Sequence, residues 1–160
     1  MITGTDNLRD IFSIFHDGTI VNHELVPPGL RLEVEILYLA QRVHPQYRGF
    51  RVELHNAREI SFATWPSDLN APATQMDSLA DIFAPQLDIL GCEVEPSGLK
   101  ISCNQSSPQW NYCGGELRLA ADAATLTDAG GKEYSIDELR RLSEGYWNEW
   151  QSNAHDSATR

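Results

Sequence analysis

Residues 5–24 read TDNLRDIFSIFHDGTIVNHE, and the spacing of apolar residues changes within this stretch. From Thr19 onward the residues alternate as in a strand. We expect the preceding segment to end at residues 16–18, where Gly18 can adopt the left-handed conformation that closes a helix. That segment is predicted to be helical because its apolar residues recur every three or four positions: Leu8, Ile11, Phe12 and Phe15.

Further strand and helix patterns follow along the chain. In residues 30–38 apolar residues alternate with charged ones, residues 50–54 alternate again, and residues 60–65 are consistent with another short strand. A stripe over residues 76–83 predicts a middle helix, with Thr74 and Asp77 as its capping pair. A last helix is predicted after the capping box of Ser135 and Glu138, with apolar residues at helical spacing: Ile136, Leu139, Leu142, Tyr146 and Trp150.

The order of these elements predicts an α+β protein and not alternating βαβ units. We expect a mostly antiparallel sheet of about six strands, covered by N-terminal, middle and C-terminal helices. The length of 160 residues suits one domain, which we place at residues 1–151. Residues 152–160 are small and polar, and we expect them to form a flexible tail.

The strongest hairpin signal lies in residues 86–104, where two alternating runs flank Ser97 and Gly98. If these two residues form the loop, the turn sets the pairing of the strands. Glu95 then faces Lys100.

The same register places Cys92 opposite Cys103, on the side of the hairpin that we expect to face the core. Buried free thiols behave as small hydrophobic side chains. A strained cross-strand disulfide and oxidative regulation are the alternatives. Cys113, in a loop-like context, is the more reactive candidate.

Composition bounds the classes of partner. The chain carries 23 acidic residues against 12 Lys and Arg, a formal net charge of −11, which repels nucleic acid and anionic lipid surfaces. The excess of acid suits a basic protein partner, with a merely solvated acidic surface as the alternative. The sequence contains no secretion signal or long apolar run, and we expect a cytoplasmic location.

His16 and Asp17 are the main candidates for chemistry, because an imidazole beside a carboxylate can bind a metal or transfer protons. The other interpretation is a turn in which Asp17 accepts backbone N–H groups and Gly18 has a positive φ. A metal site needs a third ligand, for which His23 and His55 are available. No phosphate-binding or nucleophile motif is present, so we predict no catalytic residues and no cofactor.

A second candidate surface is aromatic. Tyr146 and Trp150 lie four residues apart on the last helix, a spacing typical of a core face. Trp147 lies about 100° around the helix from Tyr146, and we expect it to be partly exposed. With Trp65 and Trp110, it could contribute to a binding surface, because Trp and Tyr dominate binding hot spots.

The run FSIFHDGTI, followed by alternating strands and by GGELRLAADAATLTDAGGKEYSIDEL, resembles small uncharacterised bacterial proteins with an F-H-D-G helix-to-strand turn. Some of these look like immunity proteins encoded beside toxins. The resemblance implies an α+β fold used for protein binding, and it maps only His16, Asp17 and Gly18 onto the motif. It supplies no catalytic residues.

Two functions follow as hypotheses. The leading one is a non-enzymatic, acidic protein-binding module that resembles immunity proteins, with His16, Asp17, Gly18 and Trp147 as binding residues. The alternative is a small metal-dependent enzyme that uses His16 and Asp17.

Overall fold

The computed structural model describes residues 1–158, and the side chains of residues 1–156. Four helices are present in that range: α1 (Thr5–Ile14), α2 (Leu37–Ala40), α3 (Leu79–Ile82) and α4 (Ile136–Ala158). The strands are β1 (Ile2–Thr3), β2 (Thr19–Val26), β3 (Gly29–Glu35), β4 (Gly49–His55), β5 (Arg58–Pro66), β6 (Gln75–Met76), β7 (Leu87–Glu95), β8 (Gly98–Asn104), β9 (Tyr112–Ala120), β10 (Ala123–Asp128) and β11 (Glu133–Tyr134).

All these strands belong to one antiparallel sheet in the order β1-β10-β4-β3-β2-β7-β8-β9-β5-β6, with β11 paired to β10. The prediction of about six strands is therefore wrong, because residues 1–158 contain eleven. Three of the additional strands, β1, β6 and β11, are only two residues long. A segment of two residues is too short to show the alternation on which the prediction depended.

The sheet bends where β4 runs on into β5 and β9 runs on into β10. Only residues 56–57 separate β4 from β5, and only residues 121–122 separate β9 from β10. Pairing continues across this bend, because His55 lies opposite Ala123 and Arg58 lies opposite Ala120. Arg58 also forms an ion pair with Asp122 at 2.9 Å. β9 and β10 thus connect the two ends of the path that runs through β4, β3, β2, β7 and β8.

Helix α1 supplies the centre of the core. Its predicted apolar stripe is confirmed, since none of the four side chains is more than 1% exposed. The Phe15 ring stacks on Phe50 of β4 with centroids 5.4 Å apart. The sheet contributes inward-facing residues that include Leu32, Val52 and Leu126 of three adjacent strands. Burial of this helix against the sheet unites elements that are distant in sequence.

The outer face of β3 and β4 carries paired charges. Arg31 binds Glu24 at 2.8 Å and Glu53 at 3.0 Å. Arg51 lies 3.6 Å from Glu33. These cross-strand pairs compensate much of the acid on this face.

Two predicted elements are shorter than expected. The alternation over residues 30–38 predicted one strand, but β3 ends at Glu35 and Tyr38 lies in α2. The middle helix is reduced to α3, whose N-cap is Ser78. Residues 75–76 instead pair with β5 as β6, so the pairing of backbone groups with a neighbouring strand overrides the helical spacing of the side chains.

The hairpin of β7 and β8 has a different register from the predicted one. The strands are connected by Pro96 and Ser97, so Lys100 lies opposite Glu93 and not Glu95. The irregularity between Ile89 and Gly91 adds one residue to β7. Consequently Cys92 lies opposite Ile101, Cys103 lies opposite Ile89, and the predicted pairing of the two cysteines is wrong.

Helix α4 begins at the predicted capping box, which is confirmed by reciprocal bonds. The Ser135 N–H donates to Glu138 Oε2, and the Glu138 N–H donates to Ser135 Oγ. The helix continues through Ala158, so the predicted domain boundary at residue 151 lies within it. The flexibility proposed for residues 152–158 remains a prediction, and residues 159–160 lie outside the described residues.

Phe15 tests the importance of the α1 core. Phe15→Ala should lower the free energy of unfolding by about 3–5 kcal/mol, because it opens a cavity at a fully buried position. Urea denaturation of the full chain would measure this change. Leu69→Ala is the control, since Leu69 is 98% exposed and should change stability by less than about 0.5 kcal/mol. Equal effects would contradict the assigned core.

The contact between α1 and α4 should depend on pH. Burial alone would raise the pKa of Asp10, but hydrogen bonds from Arg140 and Arg9 outweigh it and lower the pKa. A lowered folded-state pKa stabilises the fold above the unfolded pKa of about 3.9, and this contribution disappears as pH falls through the folded-state pKa.

Asp10→Asn should therefore destabilise the protein at pH 7, and its deficit should shrink below about pH 4. Thermal melts of both proteins across this range would show the convergence. Asp6→Asn is the control because the Asp6 side chain is 79% exposed and should have little effect. A deficit that stays constant with pH would contradict the proposed ion pair.

Candidate functional site

His16 lies on the surface immediately after the buried Phe15. Its ring Nδ1 lies 2.8 Å from the Ser13 carbonyl oxygen, so Nδ1 carries the proton and donates it. The Nε2 atom faces the carboxylate of Asp17 at 3.8 Å. The side chains of His16 and Asp17 are 36% and 71% exposed, so both are accessible to a partner.

The turn that holds this pair is built differently from the prediction. Asp17, with φ 69°, has the left-handed conformation, whereas Gly18 does not. Glycine is required at position 18 because a Cβ there would lie 2.9 Å from the Phe15 carbonyl oxygen and 3.0 Å from a Val34 methyl group. Two backbone bonds of 2.8 Å with Ile89 attach the turn to β7. In one of these bonds the backbone N–H of Asp17 donates to the Ile89 carbonyl oxygen. Asp17 therefore stabilises the turn through its main chain.

The side chains proposed as a third metal ligand make other contacts. His23 stacks on Phe83 with ring centroids 4.9 Å apart. His55 contacts the Thr125 hydroxyl at 2.7 Å. Within residues 1–158, no group of three or more His, Cys, Asp or Glu side chains is placed to bind a metal ion.

The last helix brings aromatic rings to His16. Trp147 stacks on His16 with centroids 5.7 Å apart and planes inclined by 12°. The ring centroid of Tyr38 of α2 lies 4.4 Å from that of Tyr146 and 6.0 Å from that of Trp147. Trp150 makes an edge contact with Trp147 at 5.9 Å. We call these five residues the aromatic face.

Exposure varies across the aromatic face. Tyr146 and Trp147 are half-buried, whereas Trp150 is 54% exposed. The prediction that Trp150 lies on a core face is therefore wrong. Helical spacing identifies residues that share one face of a helix, but it does not show how far along the helix that face is covered. The part of α4 from residue 148 to residue 156 is exposed.

Within the aromatic face, Tyr38 also bonds to the turn at His16. Its hydroxyl donates to the His16 carbonyl oxygen at 3.2 Å. Burial, together with the negative charge of Asp17, raises the pKa of Tyr38 to about 12. The hydroxyl therefore remains a proton donor at neutral pH and holds the turn against α2.

A shallow cavity lies beside the aromatic face, between the end of α1 and the irregular part of β7. Its volume is about 520 Å³. Leu90 on its wall is 46% exposed. Both polar and apolar groups line it: Ser13, His16, Leu90, Gly91, Cys92, Glu93 and Ser102.

All three cysteines are free thiols. Cys103 is buried in the core and Cys92 is half-buried. Burial raises the pKa of both thiols to about 12, so they stay protonated and weakly nucleophilic at neutral pH. Cys113 is exposed, and its thiol contacts the Trp65 carbonyl oxygen at 3.4 Å.

The two remaining tryptophans do not extend the aromatic face. Trp65 lies on β5, opposite Gly114 of β9. Trp110 lies in the loop before β9 and packs against the core. Among the described rings, neither contacts a member of the aromatic face.

His16, Asp17 and Trp147 are recognisable as candidates from their residue types, but the sequence does not predict that they meet. Tyr38 and Leu90 are not predicted as site residues. The alternating pattern places Tyr38 in a strand, whereas it lies in α2, and Leu90 lies at the irregularity of β7. Hydrophobic spacing alone reveals neither feature.

Comparisons with known proteins give no relatives. No protein-family model matches the chain, and neither curated proteins nor solved structures provide a significant match. Among residues 1–158, no helix combines the length and apolar character needed to cross a membrane.

The close packing around the turn is testable with two glycines. Gly18→Ala should destabilise the protein by about 1–3 kcal/mol, because the added methyl group overlaps backbone and core atoms. Gly91→Ala is the matched control, since nothing lies within 4 Å of its Cβ position. Chemical denaturation of both variants would compare them. A neutral Gly18→Ala substitution would contradict the described turn.

Proposed function

We propose that this protein is a non-enzymatic protein-binding module and that its aromatic face is the binding surface. The observation that carries this proposal is the placement of Trp147 and Trp150, which leave aromatic area open to solvent at the surface. Trp and Tyr are enriched in binding hot spots. Exposed apolar surface of this kind is typical of interaction sites.

The rings are also held in place before any partner binds. Trp147 is fixed between His16 and its neighbours on α4, while Tyr38 packs against Tyr146. Arg42, which follows α2, binds Glu149 of α4 at 2.6 Å and so ties the two segments together. A preorganised surface loses less side-chain entropy on binding.

Charge favours a basic partner. The chain has a net charge of −11, and the arginines on the outer face of β3 and β4 are already paired with glutamates. Beside the aromatic face, Asp17 is 71% exposed, and no Lys or Arg within residues 1–158 forms an ion pair with it. Complementary charge would increase the association rate, and salt would weaken the binding by screening that charge.

The resemblance to immunity proteins would make the partner a protein toxin. On the sequence arguments, we place this module in the cytoplasm and do not propose nucleic acid or a membrane as its partner. A metal-dependent enzyme lacks support, because within residues 1–158 no third His, Cys, Asp or Glu side chain joins His16 and Asp17 as a metal ligand.

Partner capture tests the proposal. The purified protein should retain a basic protein from a lysate of the source organism at low salt, and retention should fall at high salt. Trp147→Ala should reduce retention at least about tenfold, because truncating a hot-spot tryptophan costs upward of 1.4 kcal/mol. Quantitative mass spectrometry of the retained fraction would measure this change.

Trp110→Ala provides the matched control, since Trp110 is also a half-buried tryptophan but lies outside the aromatic face. Both variants should have circular dichroism spectra like that of the wild type. Equal retention by Trp147→Ala and the wild type would exclude the aromatic face as the binding surface.

A further inference from the structure

We propose that the cavity beside His16 receives an arginine side chain of the basic partner. This inference depends on the proposed function and specifies the chemistry of its anchor. The cavity adjoins the aromatic face through His16, which belongs to both. A partner that covers the rings would therefore also cover the mouth of the cavity.

The electrostatic environment of the cavity favours a cation. Helix α1 is ten residues long and ends at Ile14, and the C-terminal end of a helix carries partial negative charge. Glu93 lines the cavity, and Asp17 lies at the Nε2 edge of His16. No Lys or Arg lines the cavity. The charge of Arg9 also acts on Cys92 in the cavity wall, but Arg9 is paired with Asp6 and Asp10. Glu93 in the wall, the end of α1 and the nearby Asp17 therefore leave a negative environment at the cavity.

Glu93 remains available although it has a partner. Lys100 Nζ lies 2.9 Å from Glu93 Oε2. The Glu93 side chain is nevertheless 72% exposed, and no protein donor within residues 1–158 bonds to Oε1. This oxygen can accept a hydrogen bond from a guanidinium group.

An aromatic ring at the cavity favours a planar cation. His16 lines the cavity, and Trp147 stacks on only one face of its ring. A guanidinium group stacks on such a face and donates several hydrogen bonds in its own plane, whereas a lysine ammonium is a compact, strongly hydrated charge. Arginine is therefore the better fit.

The irregular part of β7 provides room and apolar contact. Gly91 has no side chain, and the space above it is open for 4 Å. Leu90 has no opposing residue on β8, and its 46% exposed side chain can contact the methylene groups of the arginine. The added residue thus forms an apolar wall next to the negative rim.

A titration with argininamide would test the cavity directly. In ¹H–¹⁵N spectra of the full chain, argininamide should shift the amides of His16 and Gly91 and the indole N–H of Trp147. Citrullinamide has nearly the same shape but a neutral side chain and should shift them far less. Lysinamide should bind more weakly than argininamide, since it cannot stack in the same way.

Single substitutions on the rim should weaken this binding. Asp17→Asn and Glu93→Gln should each raise the dissociation constant for argininamide about threefold, because each removes one exposed charge interaction. Asp68→Asn is the control, since Asp68 lies in the exposed loop after β5. Equal shifts with argininamide and citrullinamide, or equal binding by all variants, would overturn the arginine proposal.

Partner capture separates this inference from the proposed function. If Trp147→Ala abolishes retention of the partner but Asp17→Asn and Glu93→Gln retain it fully, the aromatic face binds the partner without an arginine anchor. If Trp147→Ala has no effect, the proposed function itself fails. A loss of retention in all three variants, with selective argininamide binding by the wild type, would support both.

Discussion

Burial of the apolar stripe of α1 inside the curled sheet is the constraint on which the rest of the structure depends. Phe15 ends the stripe and stacks on Phe50 of β4, while the chain turns and the backbones of Asp17 and Gly18 bond to Ile89 of β7. The chain must therefore leave the core at His16. The imidazole of His16 and the exposed carboxylate of Asp17 therefore lie on the surface, next to the C-terminal end of α1, which carries partial negative charge. The candidate site is a direct consequence of how the first helix ends.

Much of this arrangement can be read from the sequence, and the failures have physical causes. The stripe of α1 and the capping box of α4 are local signals, and both are confirmed. Strand number and register are set by bends and added residues, which alternation does not reveal. The ease with which glycine adopts the left-handed conformation predicts it at Gly18, yet Asp17 has it and Gly18 is required by close packing.

The site itself depended on tertiary contacts that no single pattern contains. Trp147 and His16 are far apart in sequence but stack because α4 packs across the end of α1. Arg140 stabilises that packing by binding Asp10 at 2.6 Å. Negative charge is also distributed unevenly: on the outer face of the sheet it is paired with arginine, whereas Asp17 beside the rings has no such pair within residues 1–158. Residue types alone point to His16, Asp17 and Trp147, but they do not show that these side chains lie together.

The central claim is that partners bind at the aromatic face and the adjoining cavity. Hydrogen–deuterium exchange of the full chain, alone and in complex with the partner it retains at low salt, tests this claim most directly. We predict that the partner slows exchange in residues 13–18, 90–93 and 146–151. Protection confined to other surfaces, such as the exposed loop at residues 66–74, would contradict the account.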